Sequence, residues 1–457
     1  MDQWGVDAVK GKLYVVTRLL LMAVLFSLLM VLTVQAESLV DVYRDAQKND
    51  PIFSAAHFHT LAIKEGQKQA LSLLLPSLSA SAEFKQSDQD IVSSDNDVYG
   101  SGNTDFDTTT YGLTLTQPIF HWDSIVGLKQ SKAASQQAEI EYVLAQQELV
   151  LRVADLYLKA LAAQDQLNFA QAEQLAVEKH FELASGRHEM GLIPITDLHD
   201  AKARQATTRA ETIVAQNLFD DALQALEEMT ALPIAELSLL RGEIPLLSPE
   251  PADLDSWIGA AVEQNPAIAL QEQALEVANQ EVRRQSAGHY PTLDLVGRFN
   301  NEETDGSLFG GGSEVETTEF LLQLNVPLYQ GGAVSSRVRE ARHQVSLAKQ
   351  MLIKEQRGVA RQVRAAYLGV NSALNRIDAL QQSVLSNQLA LDAKQEGFMS
   401  GLYTSLTVLD AERDLSLVSI DYAQARYDYI LNTLKLKMAV GTLNGDDLLE
   451  IDQWFVR

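Results

Sequence analysis

The side chains with chemical reach are eight histidines, 61 acids and 36 lysines and arginines, with no cysteine at all. Without a thiol the chain builds no disulfide, iron–sulfur cluster or zinc–thiolate site. It also has no thiol nucleophile and no N-terminal cysteine to carry a lipid. His57 and His59 are two apart, a spacing that points them away from each other on a helix. His180 and His188 are about two turns apart with no carboxylate at metal-ligand spacing, and neither HExxH nor GxSxG occurs. The reading is therefore no catalytic or metal-binding histidine, no cofactor and no enzyme. The acids recur along helical stretches, where a solvated face is the ordinary role. A net charge of −25 opposes nucleic-acid binding, which needs a basic face.

What remains is a chain whose elements must explain it. Arg18 precedes an apolar run, Leu19 to Val34, that ends in Val34-Gln35-Ala36. The run is shorter than the roughly 20 residues that span a bilayer, and small residues sit where a signal peptidase reads. Residues 1–36 are thus expected to be a secretory signal peptide. No later apolar run approaches membrane length, so contact with a membrane would have to come through β-strands.

The remainder reads twice. Asp50-Pro51 recurs as Asn265-Pro266, and Leu75-Pro76-Ser77-Leu78 as Tyr290-Pro291-Thr292-Leu293, both at the same offset. LTQPIF, ending at Phe120, recurs as LNVPLY, ending at Tyr329, and Gly191-Leu192 recurs as Gly401-Leu402. These later echoes come at a slightly smaller offset, as a shorter loop in the second copy requires. Repeated order of this kind marks a duplication. The first repeat is placed at 37–232 and the second at 258–443, with a linker at 233–257 and a C-terminal segment at 444–457. Each repeat is expected to carry a first helix (Phe53 to Leu74 in the first copy), two strands, a very long helix and a medium helix. The long helix of the first copy is expected over about 125–187, and its medium helix over about 197–228.

The strands are read from strict alternation. Leu78, Ala80, Ala82 and Phe84 alternate with Ser79, Ser81, Glu83 and Lys85. The four segments are placed at about 77–86, 110–120, 291–300 and 317–328, each about the length of a tilted membrane strand. Polar stretches Gln86 to Asp107 and Asn301 to Glu316 are read as loops. Four strands cannot close a barrel, whose smallest membrane form has about eight, so copies must share one. Two chains would give eight strands and three would give twelve. In the second long helix, Val338, Ala341, Val345, Ala348 and Leu352 follow three–four spacing, which continues at Val359, steps by four to Val363 and resumes at Ala366, Val370, Ala373 and Ile377, a coiled-coil seam with a stutter. The fold class is a mixed α/β membrane protein. It combines a long α-helical coiled-coil barrel with a shared transmembrane β-barrel, four strands per chain in two repeats. The competing reading is a periplasmic coiled-coil adaptor without a pore, which would lack the paired strand segments.

Several stretches resemble the TolC family of bacterial outer-membrane channel tunnels. They are SLVDVYRDAQKNDP, LTQPIF, GHYPTLDL, LNVPLYQGG, GLIPITDLHDAKA and, most specifically, ARYDYILNTLKLKMAVGTLNGDDLL. The resemblance implies a homotrimer in outer-membrane lipid, with a helical tunnel reaching into the periplasm of a Gram-negative bacterium. It also implies docking to a periplasmic adaptor (membrane fusion) protein and an inner-membrane efflux or ABC transporter. The linker and the C-terminal segment would form a belt about the tunnel's middle. The family closes its periplasmic end at the turns between long and medium helices. In its pattern two aspartates three apart face the pore; here Asp410 keeps the second and Thr407 replaces the first. Phe398 and Tyr403 stand where a tyrosine and an arginine lock the turn, and Asp197 matches a locking partner in the first turn. These five residues are the candidate gate, with the family's charged lock expected to be largely missing. The plain alternative for Asp410 is a solvated residue near a helix start.

Overall fold

The computed structural model describes residues 36–93, 102–307 and 311–456. The expected signal peptide, Ala36 apart, lies outside them. Each repeat opens with two capped helices: α1 (Leu39–Asn49) and α2 (Pro51–Ser72) in the first, α5 (Leu254–Gln264) and α6 (Pro266–Ser286) in the second. Asp50 accepts the amide of Phe53 at 2.8 Å, and Asn265 accepts that of Ala267 at 2.8 Å. Each is followed by proline at the first helical position, where a missing amide costs nothing. The dipeptide echo in the sequence is thus one capping device used twice.

After α2 come β1 (Ser77–Ile91) and β2 (Gly102–Phe120); after α6 come β3 (Thr292–Thr304) and β4 (Ser313–Asn325). All neighbours pair antiparallel, in the order β1-β2-β3-β4. The strands outrun the lengths expected. Gln86 pairs with Asp107 and Asp88 with Asp105, so much of the stretch read as loop continues the ladder. Backbone pairing needs no apolar side chain, and alternation of hydrophobicity therefore marks only the half of each hairpin that has an apolar face. β4 ends at Asn325 rather than near 328, ahead of Pro327, which has no amide for the ladder. Pro118 lies inside β2, at an irregularity of register beside Phe120.

The apolar face runs across all four strands. Leu78 lies opposite Leu115, Leu115 opposite Gly297, and Gly297 opposite Phe320. The ring of Phe320 rests over Gly297, 3.4 Å from where a Cβ would stand. The other face carries Ser79, Thr114, Arg298 and Glu319 in one row.

From β2 the chain enters α3 (Trp122–Glu189) and returns as α4 (Ile195–Thr230); from β4 it enters α7 (Ala333–Met399) and returns as α8 (Ser405–Val440). At 68 and 67 residues, α3 and α7 are each about 100 Å long. Gly331 and Gly332 lead into α7 with φ of 60° and 81°, a conformation open to glycine at no steric cost. Val359, Val363, Ala366, Val370, Ala373 and Ile377 are all buried along α7, as their spacing requires. The core is densest at the middle of the long helices. There the Tyr157 hydroxyl donates to the carbonyls of Glu37 (2.9 Å) and Ser238 (3.0 Å), and its ring meets Phe455 edge-on. The linker and α9 (Gly445–Asp452) close over this point through the bridge Leu240–Phe455. Among the described residues no helix is long and apolar enough to cross a membrane.

Candidate functional site

The two helix turns farthest from the sheet are built alike. In the first, the amide of Gly191 donates to His188 and that of Leu192 to Arg187, both at 2.8 Å. In the second, Gly401 donates to Phe398 at 3.0 Å and Leu402 to Gly397 at 2.8 Å. Gly191 and Gly401 have φ of 72° and 78°, the left-handed step that ends a helix and satisfies its last carbonyls. α8 then starts at a Thr404 cap, whose hydroxyl accepts the amide of Thr407 and lies 3.0 Å from the Thr407 hydroxyl.

The turns enclose a cleft of about 740 Å³ between the α3–α4 and α7–α8 hairpins. Asp197, Phe398 and Tyr403 line it together, so the structure assembles three of the five sequence candidates on one feature. The Tyr403 ring covers Gly397, leaving no room there for a Cβ. Asp197 is exposed and makes no ion pair among the described residues; it accepts the Thr196 hydroxyl, at 3.2 Å. Thr407 is spent on the cap. Asp410, a turn beyond, is bound: Arg204 Nη1 of α4 donates to its Oδ1 at 2.9 Å.

Arg204 is the residue that sequence reasoning missed, together with His180 and the pair Glu173–Arg413. The His180 Nδ1 meets the Ser405 hydroxyl at 2.9 Å, and Arg413 Nε lies 3.8 Å from Glu173. Burial, then the charges of Arg204 and Arg187, hold the His180 pKa below its ordinary value. The two hairpins are therefore stitched at three successive levels of α8. All the partners come from the other repeat, far away along the chain, so no local spacing signals them.

Comparison with known proteins settles the family. The family model for outer membrane efflux proteins matches residues 42–232 and 257–442. The chain belongs to the outer membrane efflux protein family. Outer membrane protein TolC of Vibrio cholerae is 32% identical over 92% of this chain and 94% of its own length. The alkaline protease secretion protein AprF of Pseudomonas aeruginosa is 29% identical over 90% of this chain and 86% of its own. Among solved structures, the CmeC outer membrane channel of Campylobacter jejuni superimposes with a TM-score of 0.76, at 17% identity, over 91% of this chain and 89% of that one. The family consists of channel and transport proteins. This efflux-family chain is an outer-membrane protein, and its work is that of an exit duct.

Proposed function

We propose that three copies assemble so that β4 of each pairs with β1 of the next, closing a twelve-stranded barrel in the outer membrane. The observation that carries this reading is the pair of open sheet edges. Among the described residues β1 and β4 each have one unpaired side, and β4 is exposed along its entire length. An exposed edge of that length pairs with something. Closure by rotation of a head-to-tail contact is the ordinary way such an edge is used. The long helices then form the periplasmic tunnel, whose far end meets a periplasmic adaptor and an inner-membrane efflux or ABC transporter. The protein adds no energy of its own and catalyses nothing. Relatives named for protease secretion and for efflux both align with it, which supports a duct for either type of export.

In this reading the turns at the tip are the gate, with Asp410, Asp197, Thr407, Phe398 and Tyr403 around the constriction. Native mass measurement of the protein extracted from outer membranes tests the assembly, with conductance in planar bilayers as the second arm. Three chains and discrete single-channel steps are expected. A monomer, or an inner-membrane location, overturns the proposal.

A further inference from the structure

Resting on the gate reading above, we infer that Arg204 sets the charge that the tip presents to passing ions. In a threefold assembly, unanswered acids at position 410 would form a ring of three negative charges that concentrates cations. Here each acid is answered within its own protomer. Arg204 Nη1 stands 2.9 Å from Asp410 Oδ1, and the arginine side chain is 22% exposed against 55% for the aspartate. The guanidinium is thus the more enclosed partner, held beneath an acid that faces outward. Thr407, one turn earlier, adds no charge and is occupied by the Thr404 cap. The level of Asp410 therefore carries three ion pairs rather than three bare acids. A pair acts at a distance as a dipole, and its field fades faster than that of a free charge even before salt screens it over about 8 Å.

The same arrangement recurs farther up α8. Arg376 of α7 lies 3.3 Å from Asp428 and 3.7 Å from Asp421. Three acids of this helix, Asp410, Asp421 and Asp428, are thus answered by an arginine from a neighbouring helix. Arg204 comes from the first repeat and Asp410 from the second, which makes its effect on charge separable from the fold of either turn.

Single-channel recordings in planar bilayers with wild type, Arg204→Gln, Asp410→Asn, the double variant and Arg204→Lys test this. The readouts are the reversal potential in a KCl gradient and the La3+ concentration that blocks half the current. Arg204→Gln is expected to raise cation preference several-fold and to lower the half-blocking concentration at least tenfold. Asp410→Asn is expected to shift both the other way, the double variant to return close to wild type, and Arg204→Lys to keep wild-type values. If Arg204→Gln matches wild type while Asp410→Asn does not, the arginine is idle and the inference falls, with the gate left in place. Identity of all five removes position 410 from the constriction and takes the gate reading down too. Native gels establish that each variant remains assembled. A change in Arg204→Lys as large as that in Arg204→Gln would mean that packing, not charge, is read, and overturns the inference.

Discussion

The duplication allows one residue to be judged by its twin. Ala231 ends α4 with φ of 56°, the only non-glycine residue with positive φ among those described, and Gly441 ends α8 with φ of 97°. The two positions correspond across the repeats just as the turn glycines Gly191 and Gly401 do. A Cβ in the left-handed region costs roughly 1–2 kcal/mol, and glycine's extra chain entropy offsets about 0.5–1 kcal/mol of that. Ala231→Gly should therefore raise stability by about 0.5–1 kcal/mol, read as an upward shift of the thermal midpoint. A fall would show that the alanine methyl makes a contact worth more than the strain. Gly441 cannot be exchanged in the opposite direction. A Cβ there would lie 2.7–2.8 Å from atoms of Pro266, Asn265 and Gln264. His180 supplies a pH dependence. Its folded-state pKa is depressed by burial and by Arg204 and Arg187, so the folded form resists the proton more than the unfolded chain does. The stabilisation is complete above the ordinary value of about 6.5 and is lost as pH falls below it. The protection factor of amides at the start of α8, with the pH dependence of intrinsic exchange divided out, should fall as pH drops from about 7.5 to about 5.5 in wild type and change much less in His180→Asn. An equal fall in both would assign the effect to another group.

At the scale of elements, the strands divide by face. Leu322 and Leu324 are 69% and 62% exposed in the single chain, on the face that the sheet shares with Leu115 and Phe320. On a lipid-facing strand, arginine near the bilayer midplane costs about 2–4 kcal/mol, whereas the opposite face tolerates it. Leu322→Arg and Leu324→Arg should lower the yield of assembled outer-membrane protein well below that of Gln323→Arg. Equal yields would mean that the strand does not present one face to lipid, and a greater loss in Gln323→Arg that the faces are assigned the wrong way round. Alternation told which side chains share a face but not how far the ladder runs. The outer halves of the hairpins pair through Gln86–Asp107 and Asn301–Glu316, where apolar side chains are few (Ile91, Phe106, Val315) and the period-two signal vanishes. The helices were legible for the converse reason, because the Val359-to-Ile377 seam sits inside the chain's own core. The tip was half legible. Turn glycines and the Asp410 position show in local spacing, but the choice of Arg204 as partner depends on two hairpins lying side by side.

For the whole molecule, the absence of cysteine turns assembly into a clean measurement. One cysteine placed at positions 77–82 of β1 and one at 320–325 of β4 would be the only thiols present. If β1 and β4 of different copies are neighbours, some pairs in such a grid will oxidise to a covalent three-chain species on a non-reducing gel. Monomers throughout, or a ladder extending past three chains, would exclude a closed ring. The joints between sheet and helix differ between the repeats: Gly331-Gly332 precedes α7, while Phe120-His121 precedes α3. Mechanically, α7 is held at the Val359-to-Ile377 seam, so the stretch from Ile377 to the turn at Gly401 is an overhanging beam of about 36 Å. A swing of about 3° at the seam carries that turn through about 2 Å.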